Sequence, residues 1–172
     1  MFKRLFYLFL GLALLGFSGG LFVERSDAEE ERGHSHKAHH GGVLNVIGKE
    51  SGHVEILLQG DTLEAWFVGG GEDTDRSVPI AAAEISLTVT VPGTKQKKLT
   101  LKADPMKLAG ERVGRCSHFV AQAEWLKDVK EFEARGKVIL KGIQQRLVIQ
   151  YPEGYDPGHK KHQHKEMEKK GI

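Results

Sequence analysis

The chain has 172 residues, among them 21 glycines, five prolines and nine histidines, and a formal charge of +2 with neutral histidines. Once a leader and two polar tails are set aside, this is enough for one modest core with many turns. So small a net charge, with scattered bases and no recurring aromatic–basic pattern, excludes a nucleic-acid-binding surface, and the lone cysteine, Cys116, excludes an internal disulfide framework.

Lys3 and Arg4 precede an uncharged apolar run from Leu5 to Val23, and 24–32 is then charged and mainly acidic. Positive, apolar, then polar is the order of an export signal. The run is nineteen residues long, just enough to span a bilayer. The leader is therefore expected to be a cleaved signal peptide or a retained anchor over 1–23, with small residues for cleavage at Ser18-Gly19-Gly20 or Ser26-Asp27-Ala28. The basic flank stays inside in both cases, so the rest faces the periplasm or the outside, and membrane contact is expected only through an uncleaved anchor. Residues 24–41 have almost nothing apolar to bury and are expected to be disordered.

Gly41-Gly42 then leads into a short strand over 43–47. Val54, Ile56 and Leu58 alternate with His53, Glu55 and Gln59, and Leu63, Ala65 and Phe67 alternate with Glu64 and Trp66. Gly60-Asp61 between them is a hairpin signal. Pairing across it sets Leu58 opposite Leu63, Ile56 opposite Ala65 and Val54 opposite Phe67, so the apolar faces coincide. The same register puts Glu55 opposite Trp66 and His53 opposite Val68 on a face expected to be exposed. After a Gly69-Gly70-Gly71 loop, 84–91 is the clearest alternating strand, Pro92-Gly93 turns it, and 99–103 returns. A longer connection over 104–115 precedes a strand at 118–123. Trp125, Leu126, Val129 and Phe132 recur at helical spacing and predict a turn or two of helix. A final hairpin joins 138–141 to 146–151 around Gly142-Ile143. The domain thus spans 42–152, and 153–172 is a basic, His-rich, disordered tail. Eight short strands at hairpin spacing, one short helix and no repeat predict an all-β antiparallel sandwich or barrel.

Seven histidines, His34, His36, His39, His40, His159, His162 and His164, lie outside the alternating segments. Four imidazoles within the seven residues 34–40 can wrap one divalent ion, Zn, Cu, Ni or Co, through their ring nitrogens. The alternative is a solubilising leader. His159, His162 and His164 are a second candidate ligand set, but they are interleaved with Lys160, Lys161 and Lys165, whose charge opposes cation binding, and the alternative is a basic mobile tail. His53 and Glu55, two apart on a strand, can add a fixed pair of ligands. Cys116 and His118 have the same spacing and could hold Cu or Zn, or could be a half-buried thiol beside a strand-face imidazole. No nucleophile motif or phosphate loop is present, so a non-enzymatic reading leads.

His40-Gly41-Gly42, His53-Val54-Glu55, the 63–67 strand and Val78-Pro79-Ile80 together resemble a region associated with periplasmic adaptor subunits of heavy-metal efflux pumps and with standalone secreted proteins. The resemblance covers about 39–150 and implies a β-rich, periplasmic domain in a metal-resistance setting. The chain lacks the coiled-coil hairpin and lipoyl-like halves of full adaptors. Two functions are therefore expected: an exported metal-handling domain whose partner is the ion, or an extracytoplasmic interaction module using a sheet edge or exposed Trp66.

Overall fold

The computed structural model describes residues 37–71 and 73–158. Expectations for the 1–23 leader, for His34 and His36, and for His159, His162 and His164 lie outside the described residues.

The described chain is all-β. Its strands are β1 Val43–Ile47, β2 Gly52–Gln59, β3 Thr62–Val68, β4 Glu84–Thr90, β5 Lys97–Ala103, β6 His118–Gln122, β7 Phe132–Leu140 and β8 Ile143–Tyr151. They form one antiparallel sheet in the order β1-β2-β3-β6-β5-β4-β7-β8, and β1 lies against β8, so the sheet curls into a nearly closed barrel. The order is of Greek-key type. Strands β4, β5 and β6 follow one another, while β3 lies beside β6 and β7 beside β4. Of the two architectures expected, the sheet takes the barrel form, because its two edges meet instead of a second sheet covering its inner face.

The β2–β3 register is the expected one: Leu58↔Leu63, Ile56↔Ala65, Glu55↔Trp66, Val54↔Phe67 and His53↔Val68. Inward residues fill the barrel. Phe67 and Phe119 meet edge to face with centroids 5.6 Å apart, among Ile56, Leu63, Leu87, Leu101, Leu147 and Ile149, all essentially without exposure. Each such side chain contributes about 1.5–3 kcal/mol through burial.

The expected short helix is reduced to a single 3₁₀ turn, Glu124–Leu126. Phe132, which completed the helical spacing, instead opens β7, where Phe132, Ala134, Val138 and Leu140 point inward at period two. The last hairpin is accordingly longer than expected, with its turn at Lys141-Gly142. Another 3₁₀ turn, Lys107–Ala109, lies in the long β5–β6 connection. No helix among the described residues is long and apolar enough to cross a membrane.

The seam between β1 and β8 is closed by a side chain. Buried Asn45 accepts hydrogen bonds at Oδ1 from Gln150 N (2.7 Å) and Tyr155 N (2.9 Å), and its Nδ2 donates to the Val43 carbonyl at 3.1 Å. Val46 N donates to the Tyr155 carbonyl at 2.7 Å. An amide has both donor and acceptor, so one residue can stitch a strand to the loop that follows another.

Candidate metal-anchoring site

Glu55, Trp66 and His118 form a row across β2, β3 and β6, because each is the direct partner of the next. Direct partners in an antiparallel sheet share a face, here the outer face of the barrel. The segment before β1 lies across this row. Gly42 makes that possible: a Cβ there would fall 2.5 Å from the Ile56 carbonyl oxygen, so only glycine lets the segment lie on the β2 backbone. Gly41 takes φ +79°, the left-handed conformation that suits glycine, and turns the chain over the sheet.

Glu55 fastens the segment down. Its Oε1 accepts from His40 N at 2.7 Å and Gly42 N at 2.8 Å. Its Oε2 accepts from His39 N at 3.0 Å and lies 2.9 Å from His40 Nδ1. Glu55 is fully buried. Burial by itself would raise its carboxyl pKa, but the bonds from Gly42 N–H, from the His40 ring and from the His40 and His39 backbones outweigh it and hold the group below its ordinary value. An ionised carboxylate only accepts, so His40 Nδ1 carries the proton toward Glu55. In the neutral ring, Nε2 then bears the lone pair.

Aromatic stacking sets the plane of that ring. His40 stacks on Trp66 at 4.1 Å and 7°, and Trp66 stacks on His118 at 3.7 Å and 14°. The indole N–H donates to Glu64 Oε2 at 3.3 Å. His118 is itself held at both nitrogens, Nε2 3.2 Å from Glu64 Oε2 and Nδ1 3.3 Å from Asp104 Oδ2.

Several expectations about this face change. Glu55 and His53 were expected on an exposed face and are both fully buried, because Lys37–Gly42 covers the one and the tri-glycine loop the other. His53 Nδ1 donates to the Gly69 carbonyl at 2.7 Å. Trp66, expected to be exposed, is half-buried between two imidazoles. Cys116 and His118 do not turn toward one site. Cys116 is fully buried in the core cluster, and its thiol donates to the His118 carbonyl at 2.8 Å. Burial pushes the thiol pKa up, which disfavours the thiolate a metal would need. The strict alternation expected from spacing two fails because Cys116 precedes β6 and bridges to Ile80.

The structure therefore brings together His39, His40 and Glu55 from the candidate residues, and adds His118 on the far side of Trp66. Glu64, Asp104 and the central place of Trp66 were not read from the sequence. The signal available was the row Glu55–Trp66–His118, which requires the β3–β6 pairing to be known. Among the described residues, no three His, Cys, Asp or Glu side chains converge as a complete metal shell. Comparison with protein-family models, curated proteins and solved structures finds no match to this chain.

Proposed function

We propose that the chain is an exported, non-enzymatic metal-handling barrel, facing the periplasm or the outside, in which His40 anchors a divalent transition-metal ion and imidazoles of the adjoining His-rich segment complete its ligands. The observation that carries this reading is the 2.9 Å contact between His40 Nδ1 and buried Glu55. A carboxylate that fixes one ring nitrogen of a histidine orients the other toward a metal and raises its basicity. Stacking on Trp66 supports the reading further, since a ring already held in place loses little freedom on binding. In this reading Glu55 orients a ligand and does not itself bind the ion, because both its oxygens are already occupied by four hydrogen bonds. His39 is adjacent to His40, and the sequence places His34 and His36 within six residues of it. Zn, Cu, Ni and Co all suit imidazole nitrogen.

Calorimetric titration of the full chain with each of the four ions tests this. Binding should occur near neutral pH and weaken about 10–100-fold in Glu55→Gln, as expected when an orienting partner is lost. In His40→Ala the anchored site should vanish. Failure of all four ions to bind at millimolar concentration, or binding indifferent to His40→Ala, would remove the metal reading and favour the interaction module.

A further inference from the structure

The hydrogen-bonded order of the strands puts the β1–β2, β3–β4, β5–β6 and β7–β8 connections at one end of the barrel, here called the upper rim. Gly48 of the first connection approaches the Gln145 side chain of β8, and Gly52 approaches Leu140, consistent with that placement. Among the described residues, the large apolar side chains that stand exposed are Leu108, Val113, Ile139 and Ile143. All four belong to the upper rim: Leu108 and Val113 to the β5–β6 connection, Ile139 and Ile143 to the β7–β8 hairpin tip. Leu108 is 107% exposed, as free of neighbours as a side chain in an extended peptide.

The charges next to these side chains along the chain are mainly basic. The hairpin tip from 137 to 146 carries Lys137, Lys141 and Arg146 and no acid. The prong formed by the β5–β6 connection carries Lys107, Arg112 and Arg115 around its apolar pair; Asp104 stands at its base against His118, and the acid between the bases is Glu111. That carboxylate is turned back into the loop. Oε1 accepts from Ser117 N at 3.1 Å and Ser117 Oγ at 2.6 Å, and Oε2 from Met106 N at 3.1 Å. It braces the prong and withdraws its negative charge from the tip. The other acids in the sequence of this rim's connections are Glu50, Glu72, Asp73 and Asp75, beside Lys49 and Arg76, and Asp73 pairs with Arg76 at 3.2 Å.

We infer that the upper rim docks on an anionic lipid bilayer, with the apolar tips of the two prongs entering the interface and their lysines and arginines meeting lipid headgroups. Isolated exposed apolar residues need no explanation. Four at one end, each pair flanked by bases along the chain, match the composition of a membrane-surface contact. A protein partner with an acidic face is the competing occupant. The bilayer is favoured because two separate prongs, each an apolar tip on a basic base, fit a planar anionic layer without a complementary groove. This inference stands independently of the metal reading.

The full chain reconstituted into vesicles provides the test. A cysteine introduced by Val113→Cys or Ile143→Cys would carry an environment-sensitive dye, and Asp128→Cys, in the connection at the opposite rim, is the control; native Cys116 is buried. Any tethering by the leader is the same in all three variants, so only rim orientation separates them. On vesicles of phosphatidylcholine with about one third phosphatidylglycerol, nitroxide-bearing lipids should quench both upper-rim dyes and leave the control unquenched. On phosphatidylcholine alone the difference should fade. Each base removed, as in Lys141→Gln or Arg112→Gln, should weaken the docked population about fivefold, and high salt should weaken it too. Equal quenching at both rims, no quenching of the upper-rim dyes on anionic vesicles, or quenching indifferent to salt and to these substitutions would overturn the inference. Shielding of the dyes by polyglutamate but not by vesicles would assign the rim to an acidic protein and overturn it as well.

Discussion

Replacing Glu55 by alanine removes the acceptor for four donors at once. The sequence alone would make this change nearly silent, since alternation alone puts Glu55 on an exposed face. The structure reverses that expectation. Hydrogen bonds to a charged group contribute about 1.5–3 kcal/mol each when a partner is removed, but four such terms cannot simply be added. His39 and His40 are exposed, so their N–H groups regain water once the segment lifts. Gly42 is half-buried against Ile56, and the outer faces of β2 and β3 lose their cover. One or two bonds not replaced by water give a loss of about 2–4 kcal/mol. For a domain of this size that corresponds to a fall in Tm of roughly 8–16 °C. Urea unfolding monitored by circular dichroism reads the loss. Amide exchange at His39, His40 and Gly42 locates it, and these amides should lose protection before the barrel does. A change below about 0.5 kcal/mol, the range of ordinary surface substitutions, would refute the claim that Glu55 fastens Lys37–Gly42 to the sheet.

Other outcomes follow from the same geometry. Because the folded carboxyl of Glu55 lies below its ordinary value, the folded state holds fewer protons there than the unfolded chain. Its contribution is therefore complete above the ordinary carboxylate pKa and fades as pH falls through the lowered folded value; in metal-free buffer, Glu55→Gln should flatten the acid limb of urea midpoints measured between pH 7 and pH 3. Asn45→Leu leaves the Gln150 and Tyr155 amides without their acceptor and should cost about 2–4 kcal/mol, whereas a loss under 1 kcal/mol by denaturant titration would show that the seam closes without it. Gly42→Ala places a methyl 2.5 Å from the Ile56 carbonyl and should cost about 1–3 kcal/mol, with lost protection at His40 but intact protection in β4–β7. Native Cys116, buried and with its thiol pKa raised, should react with a thiol reagent only at the rate of unfolding, and prompt labelling at pH 8 would contradict its placement.

The inner face of the barrel was legible because period-two alternation is a direct record of burial. The strict pattern over Ile85, Leu87 and Val89 marked β4, and the agreement of apolar faces around Gly60-Asp61 was enough to obtain the correct β2–β3 register. The outer face was not legible in the same way. His53, Glu55 and Trp66 look solvent-facing to any rule that counts alternation, and what covers two of them is a short polar stretch with no apolar signal of its own. The cue was Gly41-Gly42, two glycines next to histidines, whose close approach to β2 can be recognised only with β2 in place. The 125–132 segment failed for another reason. Its spacing satisfies a helical period, while Phe132, Ala134, Val138 and Leu140 satisfy a strand period that Gly136 interrupts at its centre. The longer, inward-facing series won because it completes the barrel wall.

The seam at Asn45 also sets an order of events. Its partners Gln150 and Tyr155 are 105 and 110 residues away along the chain, nearly the full length of the barrel's sequence. Hairpins such as β2–β3 and β7–β8 can form as soon as their own residues are present, whereas a contact of that span must wait and is slow to find. A chain leaving its point of synthesis would therefore hold an open sheet until nearly all of the barrel had emerged. The circle would close only when the segment carrying Tyr155 arrived to meet a strand that had emerged first.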